Sequence, residues 1–526
     1  MSDRDTTESM ASKKTRHQKQ DDDNKTVDDY LDESSTLLSS AANSKRYDDD
    51  DDDSGKISGS KAATRSHIEH AKWIIHKSIP LLVTTLLHQV VKWIVIITAG
   101  RLGSVELGSI ALAHVFENLS SKLTAWSFRS ALGTLCSQAW TGAKDKSLVG
   151  LYLQRAYVLF GLISIPFGCI WAGSGIIFDW LRQDPEIARS TQTYLMYQIP
   201  GFLAHAGYVL LMAYLQAQGV MRATVYALTL ALPFHILFNY VLVYYAGLGI
   251  VGVSIALSLN YIMTWGFLAL YSAKIDGYQG WGGWSRECFQ EWGAVMHLFL
   301  PASIGAIWTA VSEGVITFSV SYLGKDNLAA QSILLRSSLT MFAPGRSLRN
   351  SLGNRIGNEL GGGSPNDAKR AYFVGALLAL VVGVASTILL MACRKSYPYL
   401  LTSDDEVAAA VSEVIPVFAV SQIIDMFKSL GGGVLQGLGR QKVLALIGFF
   451  SDFVIAIPLC YLFTFHLNGG LVGLWAGLSC GYMVAALIQI GYIFLKIDWI
   501  VESKLAIRRI HQHQHAKTKA TTTARQ

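Results

Sequence analysis

Charge is scarce along most of this 526-residue chain, and what is missing narrows the reading before any motif is sought. Only 16% of the residues are Asp, Glu, Lys or Arg, against 51% apolar, which excludes an ordinary soluble enzyme and points to a polytopic membrane protein. Cysteine is sparse too. Cys136, Cys169, Cys288, Cys393, Cys460 and Cys480 are scattered, with no CxxC and no Cys/His ligand spacing, so neither a disulfide framework nor a metal site is expected, and no cofactor is implied. There is no GxxxxGK[ST] phosphate loop. No basic patch with interleaved aromatics occurs outside the C-terminal tail, which argues against nucleic acid as a partner. The opening MSDRDTTESM has no apolar h-region, so no cleaved signal peptide is expected and the first span serves as the insertion signal.

What the chain does have is a succession of apolar runs of about 20 residues, the length a bilayer core of about 30 Å requires. Twelve are placed near 78–99, 107–139, 150–178, 191–216, 223–245, 251–272, 298–323, 328–353, 372–393, 408–435, 443–465 and 471–495. The second and eighth are unusual, because they carry Glu117, Lys122 and Arg129 in one and Arg336, Arg346 and Arg349 in the other; such groups are tolerated only where they face protein, water or the interface. Residues 1–66 are polar and acid-rich, with the run Asp48 to Asp53, and read as a disordered cytosolic tail. Within them Glu33-Ser-Ser-Thr-Leu37-Leu38 fits an acidic dileucine pattern of the kind clathrin adaptors read for vacuolar or lysosomal sorting. Residues 497–526 form a basic cytosolic tail. Loop Lys and Arg favour the side that holds both tails, which places both termini in the cytosol.

The chain also repeats itself at an offset of about 220. Leu102-Gly103 with Leu107 meets Leu323-Gly324 with Leu328, and Ile199-Pro200 meets Ile415-Pro416. Leu215-Gln216 with Gly219 meets Leu435-Gln436 with Gly439, and Gly249 with Gly252 meets Gly470 with Gly473. The expected fold is therefore all-α integral membrane: two parallel six-helix bundles, residues 67–273 and 298–496, related by a pseudo-two-fold axis and joined by a cytosolic linker at 274–297. That arrangement is transporter architecture, with the substrate site near the midplane between the halves.

The seventh span, Leu298 to Leu323, holds one acid near its middle, Glu313. A carboxylate in hydrocarbon costs several kcal/mol unless it is paired, hydrated or neutral, so Glu313 is the first candidate for a functional group. The tenth span also holds an acid, Asp425. Other readings remain open: Arg336 or Lys92 neutralises Glu313 through a buried ion pair, Lys428 does the same for Asp425, and Asp452 is either a relay or a hydrogen-bonded structural acid.

The segment Gly133-Thr-Leu-Cys-Ser-Gln-Ala-Trp-Thr-Gly-Ala-Lys144, with Gly150-Leu-Tyr-Leu-Gln-Arg-Ala156, resembles the signature of the eukaryotic branch of the multidrug and toxic compound extrusion (MATE) family. So do Gln183-Asp-Pro-Glu-Ile187, Leu215-Gln-Ala-Gln218, Arg355-Ile-Gly-Asn-Glu-Leu-Gly361 and Gly433-Val-Leu-Gln-Gly-Leu-Gly-Arg-Gln-Lys442. The resemblance runs from about Pro80 to Leu495. It implies a monomeric secondary antiporter, not an enzyme, that exports organic cations, xenobiotics or metabolites in exchange for protons. On this reading Glu313 and Asp425 couple protons, and Gln89, Trp308, Gln331, Arg336 and Gln422 line the substrate pocket. The resemblance and the dileucine pattern together favour a vacuolar or endosomal membrane. Departures from the family pattern shift coupling to the C-terminal half: no acid stands at Leu87-His88-Gln89-Val90, Ile307-Trp308-Thr309 lacks a second Glu, Arg336 replaces an acid of some relatives, and Gln422 replaces a His of animal members. Sodium coupling is the alternative, with a major-facilitator permease or a membrane-embedded lipid enzyme as rivals from further off. The permease predicts a DRxGRR-like motif where this chain reads Ala139-Trp-Thr-Gly-Ala-Lys-Asp145, and the enzyme predicts a His/Asp or metal-ligand cluster at one depth.

Overall fold

The computed structural model describes residues 58–402 and 404–523, and the side chains of residues 67–512 other than 325 and 403. The sorting pattern at Glu33, Leu37 and Leu38 lies outside the described residues.

Twelve helical spans follow in order. The first is α1 (Ser58–Leu102). The second, α2, is built from Ser104–Glu117, a π-helical turn Asn118–Lys122, and Leu123–Gly142. Then come α3 (Ser147–Ala172), α4 (Pro185–Ala217), α5 (Arg222–Asn239, running on into a π segment Tyr240–Tyr245) and α6 (Gly249–Lys274). The second half has α7 (Gly293–Val320), α8 (Lys325–Met341 and Ala343–Gly361), α9 (Pro365–Ala392) and α10 (Asp405–Leu438). It closes with α11 (Gln441–His466) and α12 (Gly470–Lys496). Ten of these are long and apolar enough to cross a bilayer by composition alone. The other two are α2, where Glu117 and Arg129 are buried in the protein, and α8, which carries Arg336, Arg346 and Arg349.

The repeat is visible in how the helices begin and end. Asp184 caps α4 by accepting hydrogen bonds from the backbone N–H groups of Glu186 (2.9 Å) and Ile187 (3.2 Å), and Asp404 caps α10 in the same way through Glu406 (2.9 Å) and Val407 (3.2 Å). Both helices are followed by a glycine in the left-handed region, Gly219 at φ 82° and Gly439 at φ 78°, where a side chain would be strained. Both α5 and α11 end in π segments before a glycine-rich turn.

The helices divide between hydrophobic cores, one drawn mainly from α1 to α6 and the others from α7 to α12, but the two halves exchange their first turns. Val295, Leu298 and Phe299 of α7 are buried in the N-terminal core, with Phe299 stacked on Phe128 at 3.9 Å, while Ile74 of α1 is buried in the C-terminal core. The linker is docked rather than loose. Gln154 of α3 donates to Gly283 O (2.7 Å) and accepts from Ser285 N–H (3.0 Å), Arg155 pairs with Glu291 (3.5 Å), and Tyr214 donates to Gly277 O (2.6 Å).

Two expectations for the ends need correction. α1 begins at Ser58, inside the stretch assigned to a disordered tail, because SKAATRSHIEHAKW is rich in good helix formers that extend the membrane helix beyond its apolar part. The basic tail contains a thirteenth helix, α13 (Trp499–Thr523), which packs on α8, α9 and α2. Glu502, 4% exposed, pairs there with Arg440.

Candidate functional site

The two bundles are joined at one end. There Gln138 donates to Gly437 O (2.9 Å), Gln441 to Thr134 Oγ1 (2.9 Å), Thr141 to Asn358 O (2.6 Å), and Arg509 of α13 to both Gln138 Oε1 (3.1 Å) and Leu438 O (3.2 Å). Added methyl groups on Gly357 and Gly361 would overlap Ser137 and the Gln138 backbone, so α2 and α8 touch backbone to backbone. Among the described residues, every hydrogen bond between the bundles lies between this end and the level of Arg129, which donates to Asn350 Oδ1 (3.1 Å). Past that level a cleft separates the bundles and opens away from the end that holds α13.

Glu313 is exposed on α7, and among the described residues it makes no ion pair or hydrogen bond. The exposed apolar residues of α7, Ile304, Ile307, Val311, Val315 and Phe318, recur three and four apart and form the lipid-facing stripe. Glu313 is two residues from Val311 and from Val315, hence on the opposite side of the helix. One turn earlier Thr309 donates to Asp452 Oδ2 of α11 (3.4 Å). Glu313 lies in the electrostatic field of Lys428, Asp452 and Arg346, from α10, α11 and α8. Asp425, 8% exposed, accepts from Ser429 Oγ (3.4 Å) and shares Lys428 and Arg346 as its charged neighbours. Lys428 itself lies 3.8 Å from the Tyr482 ring of α12, over its face. Four helices thus place polar groups near α7's acid, and Tyr482 lies within electrostatic reach of Glu313, Asp425 and Asp452.

The predicted neutralising partners of Glu313 are elsewhere. Lys92 lies in the electrostatic field of Lys122, Glu117 and Arg336, His114 in that of Glu117, Lys122, Lys92 and Arg336, and neither Lys92 nor Arg336 is among the charged neighbours of Glu313. Trp308 packs edge-on against Phe449 (5.0 Å) and Phe453 (5.8 Å) of α11. Gln331 is fully buried and accepts from Trp475 Nε1 (2.9 Å), and Gln422 is fully buried with its Oε1 unpartnered. Gln89 is half-buried on α1. Gln331, Gln422 and Trp308 therefore support the bundle around the acids rather than stand open in the cleft.

Sequence reasoning left the N-terminal charges without an arrangement. Glu117, 2% exposed, accepts a hydrogen bond from the Lys122 ammonium, five residues on. An α-helix turns residues five apart away from each other; the π turn Asn118–Lys122 brings them together. Around this pair stand His88, bonded to Tyr208 OH (3.3 Å), and His205, whose ring lies 4.7 Å from that of Tyr261. The available signal was an acid and a base inside one apolar span.

Two similar helical bundles that hold ionisable side chains inside their apolar spans have the architecture of a transporter. Comparison with known proteins makes the class specific. The MatE family model matches the chain twice, over residues 80–241 and 301–462, at the spacing of the internal repeat. Multidrug and toxin extrusion protein 1 of Xenopus tropicalis is 32% identical over 433 residues, spanning 82% of this chain and 75% of that protein. An uncharacterized transporter of Schizosaccharomyces pombe is 29% identical, spanning 84% of this chain and 81% of its own length. The crystal structure of the eukaryotic MATE transporter AtDTX14 superposes with a TM-score of 0.78 at 25% identity, over 85% of this chain and all of that one. The chain belongs to the MatE family of multidrug and toxin extrusion transporters.

Proposed function

We propose that the protein is a proton-coupled antiporter in which Glu313 binds either a proton or the cationic group of an organic cargo, never both. The observation that carries this reading is an exposed carboxyl without an ion-pair partner, on the cleft side of α7, ringed by charged and polar groups of four other helices. A carboxylate there is stabilised by a cation that arrives from the cleft, and a proton removes the charge instead. Asp425 is the second member of the pair, and its proton affinity is linked to that of Glu313 through Lys428 and Arg346, which both acids face. Alternating access then converts competition into exchange: the joined end parts while the open end closes.

With both termini cytosolic, the cleft of this conformation faces away from the cytosol, the side to which an exporter delivers. The name borne by the animal relatives fits cargo that is a drug-like or metabolic organic cation. Residence in a vacuolar or endosomal membrane follows from the Glu33, Leu37, Leu38 pattern, and a clathrin adaptor is the corresponding partner. Each bundle buries its own core, so a monomer suffices for transport.

The deciding experiment uses the purified protein in vesicles with a proton gradient or a sodium gradient imposed separately. Cation uptake that dissipates only the proton gradient supports the reading. Uptake driven by sodium alone replaces it with sodium-coupled exchange. For location, alanine at both Leu37 and Leu38 shifts the protein to the cell surface, and an unchanged distribution removes the sorting signal.

A further inference from the structure

The floor of the cleft holds two arginines, one from each bundle, that the proton mechanism does not use. Arg129 of α2 is 8% exposed and donates to Asn350 Oδ1 (3.1 Å) and Gln216 Oε1 (2.8 Å), both neutral oxygens. Its Nε is buried without a partner. Gln216, 1% exposed, also has its Nε2 buried without a partner. Arg349 of α8 donates to Gln436 Oε1 (3.5 Å), and its guanidinium lies against the surface that Gly432 leaves bare on α10. The two guanidinium groups repel one another. Asp425 is the acid in electrostatic reach of Arg349, yet among the described residues no carboxylate comes within ion-pair distance of either arginine. Arg129, Gln216, Asn350, Asn354 and Gln436 line one small cavity.

Two neighbouring cations roughly 20 Å from the helix end, in a region of low dielectric, each carry a desolvation cost unless an anion offsets it. Water satisfies the orphaned donors but leaves the charge. A small anion does both, accepting from Arg129 Nε and Gln216 Nε2 while drawing the two guanidinium groups together. We propose that this cavity is a binding site for a small monovalent anion of chloride size, and that the bound anion latches the two bundles at their joined end. Its residues come from α2 and α4 on one side and α8 and α10 on the other, and alternating access separates those pairs. Loss of the anion leaves like charges opposed and favours parting. The latch is separate from Glu313, whose charged neighbours are Lys428, Asp452 and Arg346.

The test is thermal unfolding of the full-length protein in detergent at fixed ionic strength, with sodium chloride or bromide replaced stepwise by sodium gluconate, an anion too bulky for the cavity. A saturable rise in Tm of a few degrees with halide is expected. Arg129→Gln and Arg349→Gln are each expected to remove the halide-dependent part; two variants are used because either alone can fail to fold. Anomalous diffraction from bromide is expected to peak between the two guanidinium groups. Glu313→Gln is expected to keep the full halide effect, so failure of the proton reading leaves this test intact. Equal Tm in halide and gluconate, a halide effect of wild-type size in both arginine variants, or a bromide-soaked crystal with no peak in the cavity overturns the proposal.

Discussion

The chain builds the same helix twice and places opposite charges in it. Pro80 of α1 and Pro301 of α7 open the two family matches, and counted from them Lys92 and Glu313 occupy the same position. In the N-terminal bundle the lysine looks toward a Glu117–Lys122 pair that is already internally neutralised. In the C-terminal bundle the glutamate looks toward Lys428 and Arg346 without closing an ion pair with either. The buried first turns obey the same symmetry, with Ile74 of α1 in the C-terminal core and Val295 of α7 in the N-terminal core. Symmetry of scaffold with asymmetry of charge teaches that architecture and coupling are separable. The fold needs two similar bundles; the proposed exchange needs one of them to hold an acid whose charge is left for cargo or proton to neutralise.

The largest effect expected from breaking this contrast is at its centre. Glu313→Gln abolishes proton-driven transport in vesicles while the protein still folds, since Gln is close in shape and uncharged; Lys92→Gln retains measurable exchange. Equal losses at both positions erase the asymmetry. Next, Asp425→Asn lowers coupled transport about tenfold, because the pair loses one of its two interacting sites. Asp452→Asn, whose carboxylate accepts from Thr309 and Ser451, has a smaller effect, and the order of the two rates checks which acid is the partner.

The N-terminal pair sharpens the comparison from the stability side. Glu117→Gln leaves Lys122 buried without its counter-charge and costs about 3–5 kcal/mol, measured by denaturant or thermal unfolding in detergent. Adding Lys122→Met restores most of that loss, whereas transport by the double variant remains proton-driven. A double variant that is stable but uncoupled moves the coupling site into the N-terminal half. The smallest effect concerns the joined end: Gly357→Ala forces α2 and α8 apart and costs about 1–3 kcal/mol through overpacking, read as faster labelling of a cysteine introduced at Asn354.

Most of the fold was legible in the sequence because a bilayer demands runs of one length, and because Gly219 and Gly439 end equivalent helices in the left-handed region that only glycine enters freely. The spans around α2 and α8 were legible through their very anomaly, charges inside apolar runs. Glu313 was singled out by its rarity as an acid inside an apolar run, and Asp425 by the resemblance to the family. What stayed hidden depended on local geometry that pattern does not encode. The π turn that pairs Glu117 with Lys122 adds no residue signature, and the exchange of first turns needs the register between bundles. The resemblance to the family placed Gln331 and Gln422 in the pocket, and in this conformation Gln331 satisfies Trp475 and both are fully buried in the bundle. The extension of α1 back to Ser58 and the helix α13 lie outside the apolar runs, where hydropathy gives no boundary.

The claim that one carboxyl on α7 trades its proton for cargo is tested most directly by counting protons released when a cationic substrate binds purified protein in weakly buffered detergent solution. The wild type releases about one proton per substrate bound near neutral pH, and Glu313→Gln releases none at saturating substrate. Undiminished release by that variant contradicts the account.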